Sequence, residues 1–366
     1  MQNKIHLSQS GLLNLDKYNA VDSENINLFE AKLEGCLKNN MQIACLSSGT
    51  AAIHLALILA GVTQNDEVIC QSFTFAASAN PIMYQGASPV FIDSEKDTWN
   101  MCPIVLEDAI KDKIEKGNKP KAIIVVHLYG MPAKIAEIAA IAKKHEITLI
   151  EDAAEALGST YKGQKCGTFG DFGILSFNGN KIITTSGGGA LVCKNEKDKQ
   201  KAIFLATQAR DAAPHYQHSE IGYNYRMSNI LAGIGRGQME VLDTHIELRR
   251  AMHQFYKKLF ANVAGVSVFE EPCSDYYTNH WLSCVVIDSS IAGFSSEELR
   301  LTLLEDNIES RPLWKPMHLQ PVFAACDYYG ESVAENLFKV GLCLPSGSNL
   351  TLNDKTRITL AISKML

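Results

Sequence analysis

The stretch Ala122-Ile123-Ile124-Val125-Val126, followed by residues 133–145 and then by Ile147-Thr148-Leu149-Ile150-Glu151-Asp152, decides the fold. Five apolar residues in a row leave no polar face, so 122–126 reads as a strand covered on both sides. Residues 133–145 read as a helix and 147–150 as the next strand. Strand, helix and strand in that order make one unit of a parallel sheet.

Working outward, the same alternation extends from residue 42 to residue 193. Residues 42–46 read as a strand and 50–60 as a helix closed by Gly61. Residues 68–70 and 90–92 read as short strands. Residues 104–116 place Leu106, Ile110 and Ile114 on one helical face, and Gly117 ends that helix. Residues 174–177 read as another strand. The expected fold class is therefore α/β, a largely parallel sheet flanked by helices. After about Asp243 the texture changes. Residues 246–260 read as a long exposed helix, 281–288 as a strand and 295–307 as a helix, and the end is less regular. These features predict a large α/β domain over 1–245, with an N-terminal arm, and a smaller α+β domain over 246–366.

Composition narrows the function classes. The chain has 366 residues, 46% hydrophobic and 20% charged, which excludes disordered and fibrous architectures. Basic residues number 34 against 40 acidic, a net charge of −6, which disfavours a nucleic-acid binder. The longest apolar run, 51–62, is interrupted by His54 and is too short to span a bilayer. The ten cysteines form no C-x-x-C pair, and Met1-Gln2-Asn3-Lys4 carries no apolar leader, so a cytoplasmic, metal-free protein with free thiols is expected.

In a parallel sheet, ligands gather at the carboxyl ends of the strands. Ser47-Ser48-Gly49-Thr50 lies between a strand and a helix, where free N–H groups suit a phosphate; the same residues also suit a simple helix cap. Asp152 ends a strand and can hold a cationic ring nitrogen, although Asp152 and Glu155 also have the spacing of a capping box. Lys181 follows the turn Asn178-Gly179-Asn180; an imine-forming lysine must be partly desolvated, whereas most loop lysines are solvated. Residues 222–227 and 310–318 mix polar, aromatic and cationic groups. The second of these is either a rigid connector or a grip for a diphosphate and a base.

The order and spacing of these motifs carry more than any one of them. Ser48-Gly49-Thr50-Ala51-Ala52, residues 72–78, Pro89-Val90-Phe91-Ile92-Asp93, His127-Leu128-Tyr129-Gly130, Glu151-Asp152-Ala153-Ala154-Glu155, Gly170-Asp171-Phe172-Gly173, Ser176 through Lys181, residues 222–227 and Arg311-Pro312-Leu313-Trp314 follow one another along the chain. In this series the chain resembles the DegT/StrS-type sugar aminotransferases, pyridoxal-phosphate (PLP) enzymes of fold type I, from about residue 25 to the C-terminus.

The resemblance implies roles position by position. Lys181 bonds to PLP as a Schiff base and then shuttles the proton. Asp152 pairs with the pyridine nitrogen, Glu155 contacts the ring hydroxyl, and Phe75 stacks on the ring. Gly49, Thr50, Ser176 and Asn178 hold the phosphate, joined by Asn224 of a second subunit in a homodimer. Two positions depart from the commoner pattern: Glu155 replaces a frequent Gln, and Ser186-Gly187-Gly188-Gly189 replaces Gly-Glu-Gly-Gly. Residues 178–189, Asn279-His280-Trp281-Leu282-Ser283 and 311–318 look like a narrower branch that makes 4-amino sugars on UDP. Arg311, Trp314, Lys315 and His318 are then the candidates for the nucleotide-sugar end. Glutamate is the implied donor and pyridoxamine phosphate the carrier of the amine. The rival readings are a dTDP-sugar substrate, a PLP-dependent sugar dehydratase, a nicotinamide dehydrogenase and a non-catalytic sensor. Lys181 speaks against the dehydratase, which places His there. The single glycine of Ser48-Gly49-Thr50 speaks against the dehydrogenase, and the lack of a basic DNA-binding segment against the sensor.

Overall fold

A computed structural model describes residues 24–366; the expected N-terminal arm and leader-free start lie outside the described residues. The central sheet contains β1 (Gln42–Leu46), β2 (Glu67–Gln71), β3 (Ser88–Ile92), β4 (Ala122–Val126) and β5 (Thr148–Asp152), together with the strands Phe172–Ser176, Gly189–Cys193 and Tyr328–Tyr329. Across the sheet the order is β1, Gly189–Cys193, Phe172–Ser176, β5, β4, β2, β3, Tyr328–Tyr329. Every neighbour pair is parallel except those made by Gly189–Cys193, which runs antiparallel to both β1 and Phe172–Ser176.

Alternation along the strands sorts side chains to two faces. Val68, Cys70, Ile124, Ile150, Ile174 and Leu191 pack under α2 (Gly49–Leu59) and α3 (Ala76–Tyr84). Ile69, Ile123, Val125 and Leu149 pack under α4 (Pro103–Glu115) and α5 (Ile135–His145). Each of these buried side chains contributes about 1.5–3 kcal/mol, and truncating Ile124 to Ala costs about 2–5 kcal/mol.

A second, antiparallel sheet has the order Val266–Val268, Ser283–Ile287, Gly341–Leu344, Arg311–Pro312. It packs against the helices Leu242–Phe260, Ser296–Glu305 and Leu352–Ser363. The division expected at 245/246 falls inside the helix Leu242–Phe260. The segment after Arg311–Pro312 returns to the central sheet: the Met317 N–H donates to the Ser72 carbonyl, and Tyr328–Tyr329 pairs with β3.

Strand polarity locates the site. The carboxyl ends of β1, β2, β4, β5 and Phe172–Ser176 share one edge of the sheet. The antiparallel strand brings its amino end, Gly187-Gly188, to that same edge. Gly189 lies opposite both Leu46 and Ser176. A Cβ on Gly189 would stand 2.4 Å from the Gly49 nitrogen, so only glycine permits this approach of strand to helix.

Candidate active site

A cavity of about 420 Å³ opens at this edge. Gly49, Thr50, Phe75, Asp152, Glu155, Ser176, Asn178, Lys181 and Trp314 all line it. Each of them belongs to a sequence motif described above, and together the motifs span most of the chain.

Helix α2 starts here because Ser48 caps it: its Oγ accepts the Ala51 N–H at 3.0 Å. The first-turn N–H groups of Gly49 and Thr50 have no acceptor within the helix and form the positive end of its dipole. A Cβ on Gly49 would come within 3.2 Å of the Ser176 Cβ, so the glycine keeps this corner open.

Asp152 ends β5 and is buried. Its Oδ2 accepts from Ser78 Oγ at 2.6 Å and its Oδ1 from the Ala154 N–H at 3.1 Å. Thr74 Oγ1 lies 2.8 Å from Ser78 Oγ, so a short hydroxyl chain from the start of α3 fixes the carboxylate. The preceding Glu151 points to the opposite face, as alternation requires. There it accepts the Gly167, Phe169 and Gly170 N–H groups and binds His127 Nε2 at 2.9 Å. Because the Ala133 N–H occupies His127 Nδ1, the imidazole proton sits on Nε2 and donates to Glu151. Glu151 is thus a buried anchor of the 167–170 loop.

Lys181 is only 9% exposed, and its Nζ lies 3.3 Å from Glu155 Oε1. The Tyr129 N–H donates to Glu155 Oε2 at 2.7 Å. Burial raises the Glu155 carboxyl above the usual range, against the lowering pull of Lys181. Below the amine lies the Trp281 indole, its ring 4.3 Å from Nζ. Trp281, Ser78, Tyr129 and Asn279 received no role from the sequence. All four sit inside quoted motifs, and only the three-dimensional arrangement shows what they touch.

The structure does not bring four other predicted residues into the cavity. Arg311 is exposed on an edge strand and paired with Glu309 at 2.7 Å. Lys315 is exposed. His318 is spent as a strut: Nδ1 lies 2.7 Å from Ser72 Oγ, its ring stacks on Tyr328 at 3.8 Å, and Nε2 lies 3.3 Å from Glu335. Asn224 forms a bridge with Thr207 outside its own cavity. Proximity in sequence to Trp314 made the first three look alike, but the two prolines turn successive side chains in different directions. Trp314 does reach the cavity, where it packs against Phe75 (5.5 Å) and Tyr129 (5.1 Å). Phe75 is 57% exposed at the rim.

These residues fit the implied pyridoxal phosphate. A helix N-terminus kept open by glycine suits the phosphate. An oriented buried carboxylate suits the ring nitrogen, and a buried lysine amine in the same cavity suits the aldehyde.

The comparisons agree with the geometry. The chain is 53% identical over 319 residues to EpsN of Bacillus subtilis (strain 168), provisionally named a pyridoxal phosphate-dependent aminotransferase, covering 86% of this chain and 81% of that one. It is 38% identical over 315 residues to the GDP-perosamine synthase of Escherichia coli O157:H7, covering 86% and 83%. A solved DegT DnrJ EryC1 StrS aminotransferase from Brucella abortus superposes with a TM-score of 0.85 at 28% identity, covering 95% and 91%. The sequence model of one family matches residues 12–363, and with the lysine, the carboxylate and the helix end gathered in one cavity, the chain belongs to that family, the DegT/DnrJ/EryC1/StrS aminotransferases.

Proposed function

We propose that this aminotransferase uses pyridoxal phosphate to move the amino group of glutamate to C4 of a UDP-linked 2-acetamido-4-keto-6-deoxyhexose. The product is a 4-amino sugar for cell-surface glycan or glycoprotein synthesis, made in the cytoplasm. The observation that carries the reading is the buried Lys181 amine, held 3.3 Å from Glu155 in the cavity that also contains Asp152. When bound, pyridoxal phosphate supplies an aldehyde that takes and returns the amino group and a ring that absorbs electrons.

This chain's residues do the rest. Asp152, oriented by Ser78 and the Ala154 N–H, holds a proton on the ring nitrogen. The Gly49 and Thr50 N–H groups, with Ser176, take the phosphate. Lys181 Nζ, when not covalently engaged, carries a proton to and from the carbon that gains or loses the amine. Glu155, anchored by the Tyr129 N–H, fixes where that nitrogen waits. One cavity serves donor and acceptor, so ping-pong kinetics follow. Phe75 and Trp314 at the rim offer apolar faces to the sugar nucleotide.

The functional unit is a homodimer in which Asn224 completes the site of the second copy. Two observations support this: Asn224 does not line its own cavity, and Tyr216 (79%) and Ile221 (82%) near it are exposed apolar side chains. Mixing Lys181→Ala and Asn224→Ala chains tests it, since a mixed dimer regains one intact site.

A second reading, a GDP-linked 4-keto sugar, is favoured by the relative named GDP-perosamine synthase. Incubating the enzyme with glutamate and a panel of UDP-, dTDP- and GDP-linked 4-keto sugars separates the readings. Mass spectrometry reports which ketone becomes an amine, and release of ammonia in its place would instead mark a dehydratase. A protein that stays colourless when reconstituted with PLP overturns the whole reading.

A further inference from the structure

Trp281 occupies a position that the reaction as described leaves unused. It is buried, yet its indole face lies 4.3 Å from Lys181 Nζ. Its Nε1–H donates to the carbonyl of Asn180, the residue before the lysine, at 2.7 Å. The ring is therefore tied both to the lysine's backbone and to its tip.

The segment that delivers Trp281 is built to hold it. The Trp281 N–H donates to Asn279 Oδ1 at 2.8 Å. Asn279 Nδ2 in turn donates to the Glu155 and Leu157 carbonyls, at 2.8 and 2.9 Å. The Trp281 carbonyl accepts from buried Arg249. Between them His280 is forced to a φ of 46°, the left-handed region that non-glycine residues avoid. Gly130 makes room for this loop, since a Cβ there would lie 2.1 Å from Asn279 Oδ1. One carboxamide thus couples the indole to the loop that carries Glu155, and Glu155 lies on the same lysine nitrogen.

A lysine side chain has about 2 kcal/mol of rotamer entropy to lose. An aromatic face attracts a cationic nitrogen without accepting its proton, unlike a carboxylate. We infer that Trp281 is the positioning residue of Lys181: its indole face confines the amine to the arc from which it bonds the cofactor's aldehyde.

The inference rests on the reading of Lys181 as the cofactor-bearing lysine, and two measurements keep the two apart. The first is the rate of covalent capture. The full-length protein is mixed with PLP, the lysine nitrogen bonds to the aldehyde carbon with loss of water, and borohydride then reduces the bond to a stable amine located by peptide mass spectrometry. Trp281→Leu is expected to slow capture by about tenfold to a hundredfold, while equilibrium dialysis shows PLP still bound. Trp281→Phe, which keeps a ring face, stays within about fivefold of the original chain. Capture by Trp281→Leu at the original rate, or by Trp281→Phe as slowly as by Trp281→Leu, overturns the inference.

The second measurement needs no cofactor. The chain has three tryptophans, and the indole N–H resonance that disappears in Trp281→Phe belongs to Trp281. Lys181→Met is expected to shift it. A resonance that does not move overturns the inference, whether or not PLP is captured. Failure of the original chain to capture PLP, with that resonance responding, removes the functional reading and leaves only the contact between Trp281 and Lys181.

Discussion

Ser78 Oγ and Asp152 Oδ2 stand 2.6 Å apart, joining the first turn of α3 to the end of β5. The bond spans 74 residues and sets the direction of the carboxylate. A hydrogen bond to a charged group is worth about 1.5–3 kcal/mol. Ser78→Ala should therefore weaken PLP binding by about tenfold to a hundredfold, measured by fluorescence titration. Asp152→Asn removes the charge itself and should lower kcat by about a hundredfold to a thousandfold. Equal activity in Asp152→Asn and the original chain would mean that the carboxylate is only a cap.

Lys181→Ala is the stronger test of the chemistry. It removes the covalent bond and the proton carrier together, so kcat should fall by roughly 10⁴-fold. PLP should still bind, with its absorbance that of the free aldehyde. Because the amine lies in a cavity, the variant should fold with an unchanged far-ultraviolet spectrum and a melting temperature close to the original.

Glu155 gives a prediction in pH. Burial raises its carboxyl in the folded chain above its value in the unfolded chain. A group raised in this way stabilises most at low pH, where it is protonated in both states. That contribution is lost as pH rises from the ordinary glutamate range through the folded value. Glu155→Gln cannot ionise. Its melting temperature should therefore gain on that of the original chain as pH rises across this window, and parallel curves would exclude the effect. The amide also sits against Lys181 Nζ, so PLP capture should slow in the same variant.

Much of this is legible in the sequence. Strands β1 to β5 announced themselves because both faces are covered, which leaves runs such as Ala122–Val126 with no polar alternation to misread. Lys181, Asp152 and Gly49, which line the cavity, stand out through motif order, which encodes strand ends. The helices Asn25–Leu37, Ala76–Tyr84, Glu196–Ala206 and Asn229–Met239 were not anticipated. Ala76–Tyr84 contains Pro81, and Asn229–Met239 contains three glycines, both locally unfavourable. Tertiary packing overrides that preference: a Cβ on Gly235 would lie 2.6 Å from the Phe29 ring, so the glycine lets two helices touch. That Arg311, Lys315 and His318 do not line the cavity has a related origin. Residue type indicated a diphosphate grip, but which way a Pro-bounded segment points is set by partners such as Ser72 and Tyr328, far away in sequence.

Gly130 tests the loop that carries Trp281. Its φ is 94°, and an added Cβ would meet Asn279 Oδ1 at 2.1 Å. Gly130→Ala should cost about 2–3 kcal/mol from backbone strain and overpacking, measured by urea denaturation. It should also displace Asn279 and slow PLP capture in proportion. Asn279→Ala relieves the clash, so the two substitutions together should cost less than the sum of each alone. Strict additivity would show that Gly130 and Asn279 act independently.

His253 and His280 predict how the protein fails in acid. Their rings stack at 3.6 Å with planes 9° apart, between the helix Leu242–Phe260 and the loop that ends in Trp281. His253 Nε2–H donates to the Phe269 carbonyl at 2.9 Å. Burial, then the neighbouring His280, pulls the His253 imidazole down to about 4. Burial lowers His280 too, against the pull of Glu271, with Arg250 close by. The folded value of His253 lies below the unfolded value of 6.5. Its contribution is therefore intact above pH 6.5 and is lost as pH falls toward 4, because the unfolded chain takes up the proton first. The loss over that window is about 3 kcal/mol. His253→Gln keeps an N–H for Phe269 but cannot titrate, so its urea midpoint should fall less steeply between pH 6.5 and 4. An identical slope in both proteins would place the acid sensitivity elsewhere. Since His280 adjoins Trp281, the original chain should also lose PLP capture in this window before it loses its far-ultraviolet signal.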